Sequence, residues 1–181
     1  MEHLDLINLL TPEMISLGYT KVDEYSFTLP QNGFIIMSDV VRREKPARFD
    51  IILAVAFTQT AGTDSWKNYR RGRGHANFET SLYELLLKLG EPAQYLDRLF
   101  QNKQYETTAT EIIEHLPEII SLFKRKVLPF FEKWNDPTWL IKNFEDKIYG
   151  KIFYIIEPIE DCIKLFRQQM GMQIISNITT Q

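Results

Sequence analysis

The sequence predicts an α+β protein: a small antiparallel sheet of three or four strands in a meander, covered on one face by helices, with a helical C-terminal half. Three observations support this fold class. Two stretches rich in strand-forming residues flank an Asn-Gly pair, a long apolar run follows them, and the apolar residues after position 78 recur mainly at steps of three and four.

The most extended helical pattern covers residues 117–134. Its outer side carries the basic run 124–126, which is typical of a solvated helix face. Pro129 lacks the N–H that would bond to the carbonyl of Arg125, so a kink or a break is expected there. The apolar residues of this segment form one broad stripe that requires a sheet to cover: Ile119, Ile120, Phe123, Val127, Phe130, Phe131 and Trp134.

A first helix is expected near the N-terminus. Gly18 stands where a helix commonly ends on a glycine, and Pro12 interrupts the pattern, so the helix is expected to be kinked or to restart there. The residues at helical spacing are Leu4, Ile7, Leu9 or Leu10, Met14 and Leu17.

The strands follow this helix. Residues 26–29 and 34–41 predict a hairpin around the Asn-Gly turn, and a polar, basic connection over 42–48 leads to the apolar run 49–58. That run predicts a central strand buried on both faces. Residues 65–71 are interpreted as either a fourth, edge strand or an exposed loop.

Helical spacing returns at Phe78 and continues through Leu89 to Gly90, and Pro92 suits the first turn of a short following helix. Pro117 is likewise expected in the first turn of the central helix. Asn135-Asp136-Pro137 predicts a helix stop followed by a new helix start. Residues 147–157 fit a strand or a helix, and a helix is expected over 158–170.

The length of 181 residues, with 44% hydrophobic and 25% charged residues, predicts a single domain over 1–181, in which 141–181 forms a possible C-terminal helical extension. Cys162 is the only cysteine, so an internal disulfide is impossible and a reducing compartment is expected. The N-terminus lacks a signal-peptide pattern, and no apolar run approaches the roughly 20 residues of a membrane span. We therefore expect a cytoplasmic protein without membrane contact.

The order of these elements, with the stretches GYTKVDEYSFTLP and KRKVLPFFEKWNDP, resembles an uncharacterised bacterial α+β domain family, a domain of unknown function. The resemblance covers roughly residues 4–140 and implies the same fold class. No catalytic or binding residues come with this family.

The charge distribution gives the main functional indication. The net charge is −3, yet residues 42–73 contain eight Lys and Arg against three acidic residues. Arginine suits phosphate and carboxylate oxygens, glycine lets backbone amides approach an anion, and aromatic rings stack on bases. The predicted binding residues are Trp66, Lys67, Tyr69, Arg70, Arg71, Arg73, His75, Arg43 and Arg48. The simpler interpretation is an ordinary solubilising surface.

Patterns of catalytic and metal-binding residues are not found in the sequence. His3, His75 and His115 are widely separated, and Cys162 has no neighbouring cysteine, so no metal-ligand spacing or cofactor motif is present. We expect no catalytic residues, no metal and no cofactor. An aromatic cluster of Phe130, Phe131, Trp134, Trp139 and Phe144 is expected to close one end of the core.

The sequence favours a non-enzymatic binding or interaction protein with a protein partner. An immunity-like or regulatory protein is one concrete version of this interpretation. The first alternative is a nucleic-acid or phosphate-ligand module that uses the basic residues named above. The second is an enzyme with an unrecognised site near the same residues. The apolar segment 148–166 adds a homodimer as a further possibility.

Overall fold

The structure is a computed structural model, and it describes residues 3–31, 34–44, 47–57, 78–100, 109–136, 139, 142–143 and 154–155. Six strands form one antiparallel sheet in which neighbours in sequence are neighbours in space. They are β1 (Thr20–Lys21), β2 (Ser26–Pro30), β3 (Phe34–Glu44), β4 (Ala47–Phe57), β5 (Phe78–Ser81) and β6 (Tyr154–Ile155). The predicted α+β meander is confirmed, with six strands rather than three or four.

The centre of the sheet is the long pair β3 and β4, which stay in register from Phe34 opposite Phe57 to Glu44 opposite Ala47. Residues 42–48 were expected to be a connection, and this prediction is wrong for most of them. The regular cross-strand pairing of the apolar residues continues into the charged ones, so both strands extend beyond the apolar run.

The predicted central strand is confirmed as buried on both faces. Ile51, Leu53 and Val55 point to one side of β4, and Ala54 and Ala56 are buried on the other. The preceding hairpin is also confirmed, with Gln31 N–H donating to the Phe34 carbonyl at 2.8 Å.

Helices cover the face of the sheet that carries Leu53 and Val55, which we call the first face. They are α1 (His3–Ser16), α2 (Leu82–Lys88), α3 (Ala93–Leu99), α4 (Ala109–Leu122) and α5 (Leu128–Glu132). Every apolar residue of the stripe predicted for 117–134 is buried in this core. Trp134 lies 5.4 Å from Phe34 between ring centroids, so the expected aromatic closure is confirmed for the described rings, and Phe144 lies outside the described residues.

The two prolines of the long helix occupy different kinds of position. The helix begins at Ala109, so Pro117 lies inside α4 and not in a first turn. Just before Pro129, where a kink or a break was expected, the regular α-helix gives way to a π-helical turn, Phe123–Val127, in which the Leu128 N–H bonds to the Phe123 carbonyl. A proline ring clashes with the carbonyl four residues earlier, and a wider turn just before it relieves the clash while the helix continues. Pro12 also lies within an unbroken helix, α1.

Two glycines end helices as expected. Gly18 has φ +89°, and its N–H bonds to the Ile15 carbonyl at 2.9 Å while the Tyr19 N–H bonds to Met14 at 3.1 Å. Gly90, with φ +92°, repeats this pattern after α2. Both are the paired hydrogen bonds of a Schellman motif, which needs a left-handed residue and so favours glycine.

Residues 78–81 were expected to begin a helix, but they form β5 on the edge of β4. The helix α2 starts only at Leu82, where the Ser81 hydroxyl accepts the Glu84 N–H at 3.1 Å. Tyr154 and Ile155, which the sequence left open, are strand residues paired with β5. The helix expected over 158–170 lies outside the described residues.

Candidate functional site

The structure brings two of the nine predicted binding residues together. Arg43 on β3 and Arg48 on β4 are Cα partners near the tip of the longest hairpin. The other seven, Trp66, Lys67, Tyr69, Arg70, Arg71, Arg73 and His75, lie outside the described residues. The patch as a whole therefore stays a prediction.

The position of Arg48 relative to the undescribed segment 58–77 is fixed by the register of the sheet. That segment leaves β4 after Phe57 and rejoins the sheet at Phe78, which pairs with Val55. Arg48 is seven residues from Val55 along β4, or about 23 Å at roughly 3.3 Å per residue. The two arginines and the ends of the segment thus lie at opposite ends of the sheet.

In the basic run 124–126 of the central helix, the two lysines form ion pairs with neighbouring elements. Lys124 Nζ lies 3.9 Å from the Glu13 carboxylate of α1, and Lys126 Nζ lies 3.2 Å from Glu91, which follows α2. Arg125 is exposed. This agrees with a solvated helix face whose charges join it loosely to adjacent elements.

Tyr95 on α3 and Glu118 on α4 form a hydrogen-bonded pair on the described surface. The Tyr95 hydroxyl donates to Glu118 Oε1 at 2.5 Å, and the Arg98 guanidinium lies 5.5 Å from the centre of the tyrosine ring. Partial burial, followed by the bond to this carboxylate, raises the pKa of Tyr95 to about 12. The pair ties α3 to α4, since a tyrosine held in its neutral form acts as a hydrogen-bond donor.

Carboxylates elsewhere in the described chain hold local structure. Asp23 Oδ1 accepts the N–H groups of Tyr25 and Ser26 at 2.8 Å each, which shapes the entry into β2. Asp50 Oδ1 accepts the Ile51 N–H at 2.8 Å, and Asp97 Oδ1 accepts the Tyr83 hydroxyl at 2.9 Å. Asp50 and Asp97 both accept hydrogen bonds from Tyr83, because the Tyr83 N–H also donates to Asp50 Oδ1 at 3.4 Å.

Among the residues that the structure describes, no group of three or more His, Cys, Asp or Glu side chains could hold a metal ion. His115 is half-buried on α4, His3 belongs to α1, and His75 and Cys162 lie outside the described residues.

Two hydroxyls are buried in the core beneath the π-helical turn. Ser38 lies on the first face of β3 at 0% exposure, and Tyr19 packs edge-on against Phe123 with ring centroids 6.0 Å apart. Neither oxygen has a hydrogen-bond partner of normal geometry. Burial raises the pKa of Tyr19 well above its usual range, and the nearby Ser38 hydroxyl opposes this rise only in part.

The outer side of α1 carries exposed apolar residues that the sequence did not single out. Leu9 is 42% exposed and Ile15 is 55% exposed, with Pro12 exposed between them. We call Leu9, Pro12 and Ile15 the α1 row. The sequence left Leu9 and Leu10 as alternatives for the core, and the structure buries Leu10. The signal was present, because Leu9 and Ile15 fall outside the helical steps of Ile7, Leu10, Met14 and Leu17.

No protein-family model, curated protein or solved structure matches the chain. The resemblance to a bacterial family of unknown function therefore stays a prediction. Within the described ranges no helix is long and apolar enough to cross a membrane.

Proposed function

We propose that the chain is a non-enzymatic binding protein, immunity-like or regulatory, that recognises a protein partner through the α1 row. The observation that carries this proposal is the exposure of Leu9 and Ile15 on a helix whose opposite side is fully packed. Large aliphatic residues that line one side of a surface helix are suited to fill apolar pockets on a partner.

The spacing of the α1 row favours a continuous contact. Leu9, Pro12 and Ile15 recur every three residues, so neighbouring members are in reach of each other, and the row turns by roughly 120° across the exposed half of α1. Pro12 lies within the helix and is exposed, so its ring adds apolar surface between the other two residues.

The charges beside the row indicate the chemistry of the partner. Glu13 lies one helical turn after Leu9, and its ion pair with Lys124 spans 3.9 Å with both side chains about half exposed. Such an exposed pair contributes little stability, so Lys124 remains able to bind another carboxylate. We infer a partner that presents apolar side chains next to an acidic group.

A second candidate function is the binding of a nucleic acid or another phosphate ligand at Arg43 and Arg48. These residues are direct cross-strand partners, and like charges placed opposite each other are unfavourable unless an anion offsets them. Arginine pairs of this kind suit phosphate oxygens. The single cysteine supports a cytoplasmic setting for either function.

The test is a pull-down from a lysate with the wild-type chain and three variants, of which the third carries Arg43→Ala and Arg48→Ala. The first variant carries Leu9→Gln and Ile15→Gln. The control carries Ile113→Gln, because Ile113 on α4 has the same 42% exposure as Leu9. Glutamine keeps helix propensity close to that of leucine, so the substitutions mainly remove apolar surface.

The proposal predicts that the α1 variant loses a protein that both the wild type and the Ile113 variant retain. Apolar contact also predicts that binding survives high salt, whereas phosphate contacts would weaken steeply. If the α1 variant retains every specific partner while Arg43→Ala with Arg48→Ala loses a nucleic acid, the phosphate-binding alternative replaces the first proposal.

A further inference from the structure

The chain itself carries the partner chemistry inferred for the α1 row. That partner presents apolar side chains beside an acidic group. The α1 row is such a surface, because Leu9 and Ile15 are exposed and the Glu13 carboxylate lies one helical turn after Leu9. A second copy of the chain therefore meets both requirements.

The exposed side of α1 has no charge that would repel its own copy. From Ile7 to Ser16, where the structure describes the side chains of α1, the exposed residues are uncharged. They are Asn8, Leu9, Pro12, Ile15 and Ser16. Glu13 is the charged residue of this range, and its ion pair with Lys124 makes the edge of the surface neutral.

The positions of the three residues suit a two-fold arrangement. Leu9 and Ile15 each lie three residues from Pro12, so a two-fold axis beside Pro12 places Leu9 of each copy opposite Ile15 of the other. A row of such positions is inclined by about 45° to the helix axis, so two aligned rows place their helices at a steep crossing angle. The contact is then confined to the row and its immediate neighbours.

We propose that the α1 row binds a second copy of this chain in a symmetric dimer, an inference that rests on the proposed function because it names a partner for the same surface. The two-fold axis brings both Glu13–Lys124 pairs to one rim of the contact, where two carboxylates and two ammonium groups balance one another. A few side chains bury far less than the roughly 800 Å² per partner of a stable interface. The dimer is therefore weak, and a protein that binds the row more tightly displaces it.

The first test is sedimentation of the full-length protein from about 10 μM to about 1 mM, a range that covers weak association. The wild type and the Ile113→Gln control should change reversibly from monomer to dimer as the concentration rises. The Leu9→Gln/Ile15→Gln variant should have a dissociation constant at least about tenfold larger. A wild type that stays monomeric throughout, or equal dimerisation of all three chains, would overturn the inference.

Exchanging the charges at the rim distinguishes a two-fold dimer from unspecific apolar association. Glu13→Lys gives every copy two cations there, and Lys124→Glu gives every copy two carboxylates. Both positions are about half exposed, so the substitutions leave the core intact. At low salt each variant alone should form less dimer than the wild type. An equimolar mixture should form more dimer than either variant, because opposite charges then meet. No gain in the mixture would contradict the two-fold arrangement.

Sedimentation and the pull-down separate the dimer from the proposed function. If the wild type stays monomeric while the α1 variant still loses a protein from the lysate, the dimer is refuted and the proposed function stands. If the wild type dimerises through the α1 row but no other protein depends on it, the dimer stands and the recognition of a different protein is refuted.

Discussion

Replacing Ser38 by alanine should stabilise the protein, although the change removes a polar group from the core. Ser38 is completely buried on β3, and its hydroxyl has no partner of normal hydrogen-bond geometry. A buried polar group without a partner costs about 1–3 kcal/mol of desolvation. Alanine keeps the Cβ and removes that cost, so the free energy of unfolding should rise by about 1 kcal/mol.

Tyr19→Phe tests the neighbouring hydroxyl in the same way. The ring of Tyr19 keeps its edge-on contact with Phe123, and only the oxygen is lost. If the two hydroxyls are independent, the free energy of unfolding of the Ser38→Ala/Tyr19→Phe double variant should rise by the sum of the two single changes, to within about 0.5 kcal/mol. A hydrogen bond between the Tyr19 and Ser38 hydroxyls would give the opposite result. Each single substitution would then lower the free energy of unfolding, and the double substitution would lower it by less than the sum of the two.

The assay is equilibrium unfolding in urea, with the free energy taken from the midpoint and slope. Ser26→Ala is the matched control, because Ser26 is a buried strand serine whose hydroxyl donates to the Asp39 carboxylate. That variant should lose about 1.5–3 kcal/mol, the usual worth of a hydrogen bond to a charged group. Destabilisation by Ser38→Ala as large as that of Ser26→Ala would refute the reasoning.

Three further predictions concern the helices. Phe123→Ala should reduce the free energy of unfolding by about 3–5 kcal/mol, because Phe123 is fully buried in the apolar stripe, and Lys124→Ala is the exposed control in a urea titration. Gly90→Ala should lower the free energy of unfolding by about 1–2 kcal/mol, because an L-residue is strained at φ +92°. A Cβ there would meet no atom within 4 Å, so the loss comes from the backbone alone, and unchanged thermal stability would contradict the left-handed cap. Tyr95 favours its neutral form in the folded state, so its stabilising contribution is present below about pH 10 and is lost as the pH rises toward about 12. Urea midpoints at pH 9 and 11 should therefore differ more for the wild type than for Tyr95→Phe.

The main elements could be predicted because their patterns are long. The apolar stripe of the central helix repeats over several helical turns. The apolar run of β4 is long and rich in β-branched residues, which is typical of a buried strand. The helix ends at Gly18 and Gly90 were predictable from local chemistry, since a left-handed residue is required at each position.

The elements that were missed are short or depend on contacts distant in sequence. β5 has four residues, and Phe78 fits the helical steps of the following leucines. The local signal against an earlier helix start was Ser81 followed three residues later by Glu84, a capping pattern. The strand positions of Arg42, Arg43 and Arg48 follow from pairing between β3 and β4, which composition alone does not reveal.

The candidate site was less predictable than the fold. Charge composition pointed to residues 42–73, whereas exposure of the α1 row depends on how α1 is rotated against the sheet. Spacing alone could not choose between Leu9 and Leu10, because adjacent residues on a helix differ by about 100°. The choice was made by tertiary packing, which buries Leu10 and leaves Leu9 at the surface.

The central claim is that the α1 row binds a protein partner. The most direct measurement is the dissociation constant of the partner captured by the wild type, determined by calorimetry at low and high salt for three chains. They are the wild type, the Leu9→Gln/Ile15→Gln variant and the Ile113→Gln control. The claim predicts at least about tenfold weaker binding for the α1 variant, or roughly 1.4 kcal/mol, at both salt concentrations, with the control unchanged. Equal affinity for all three chains would contradict it.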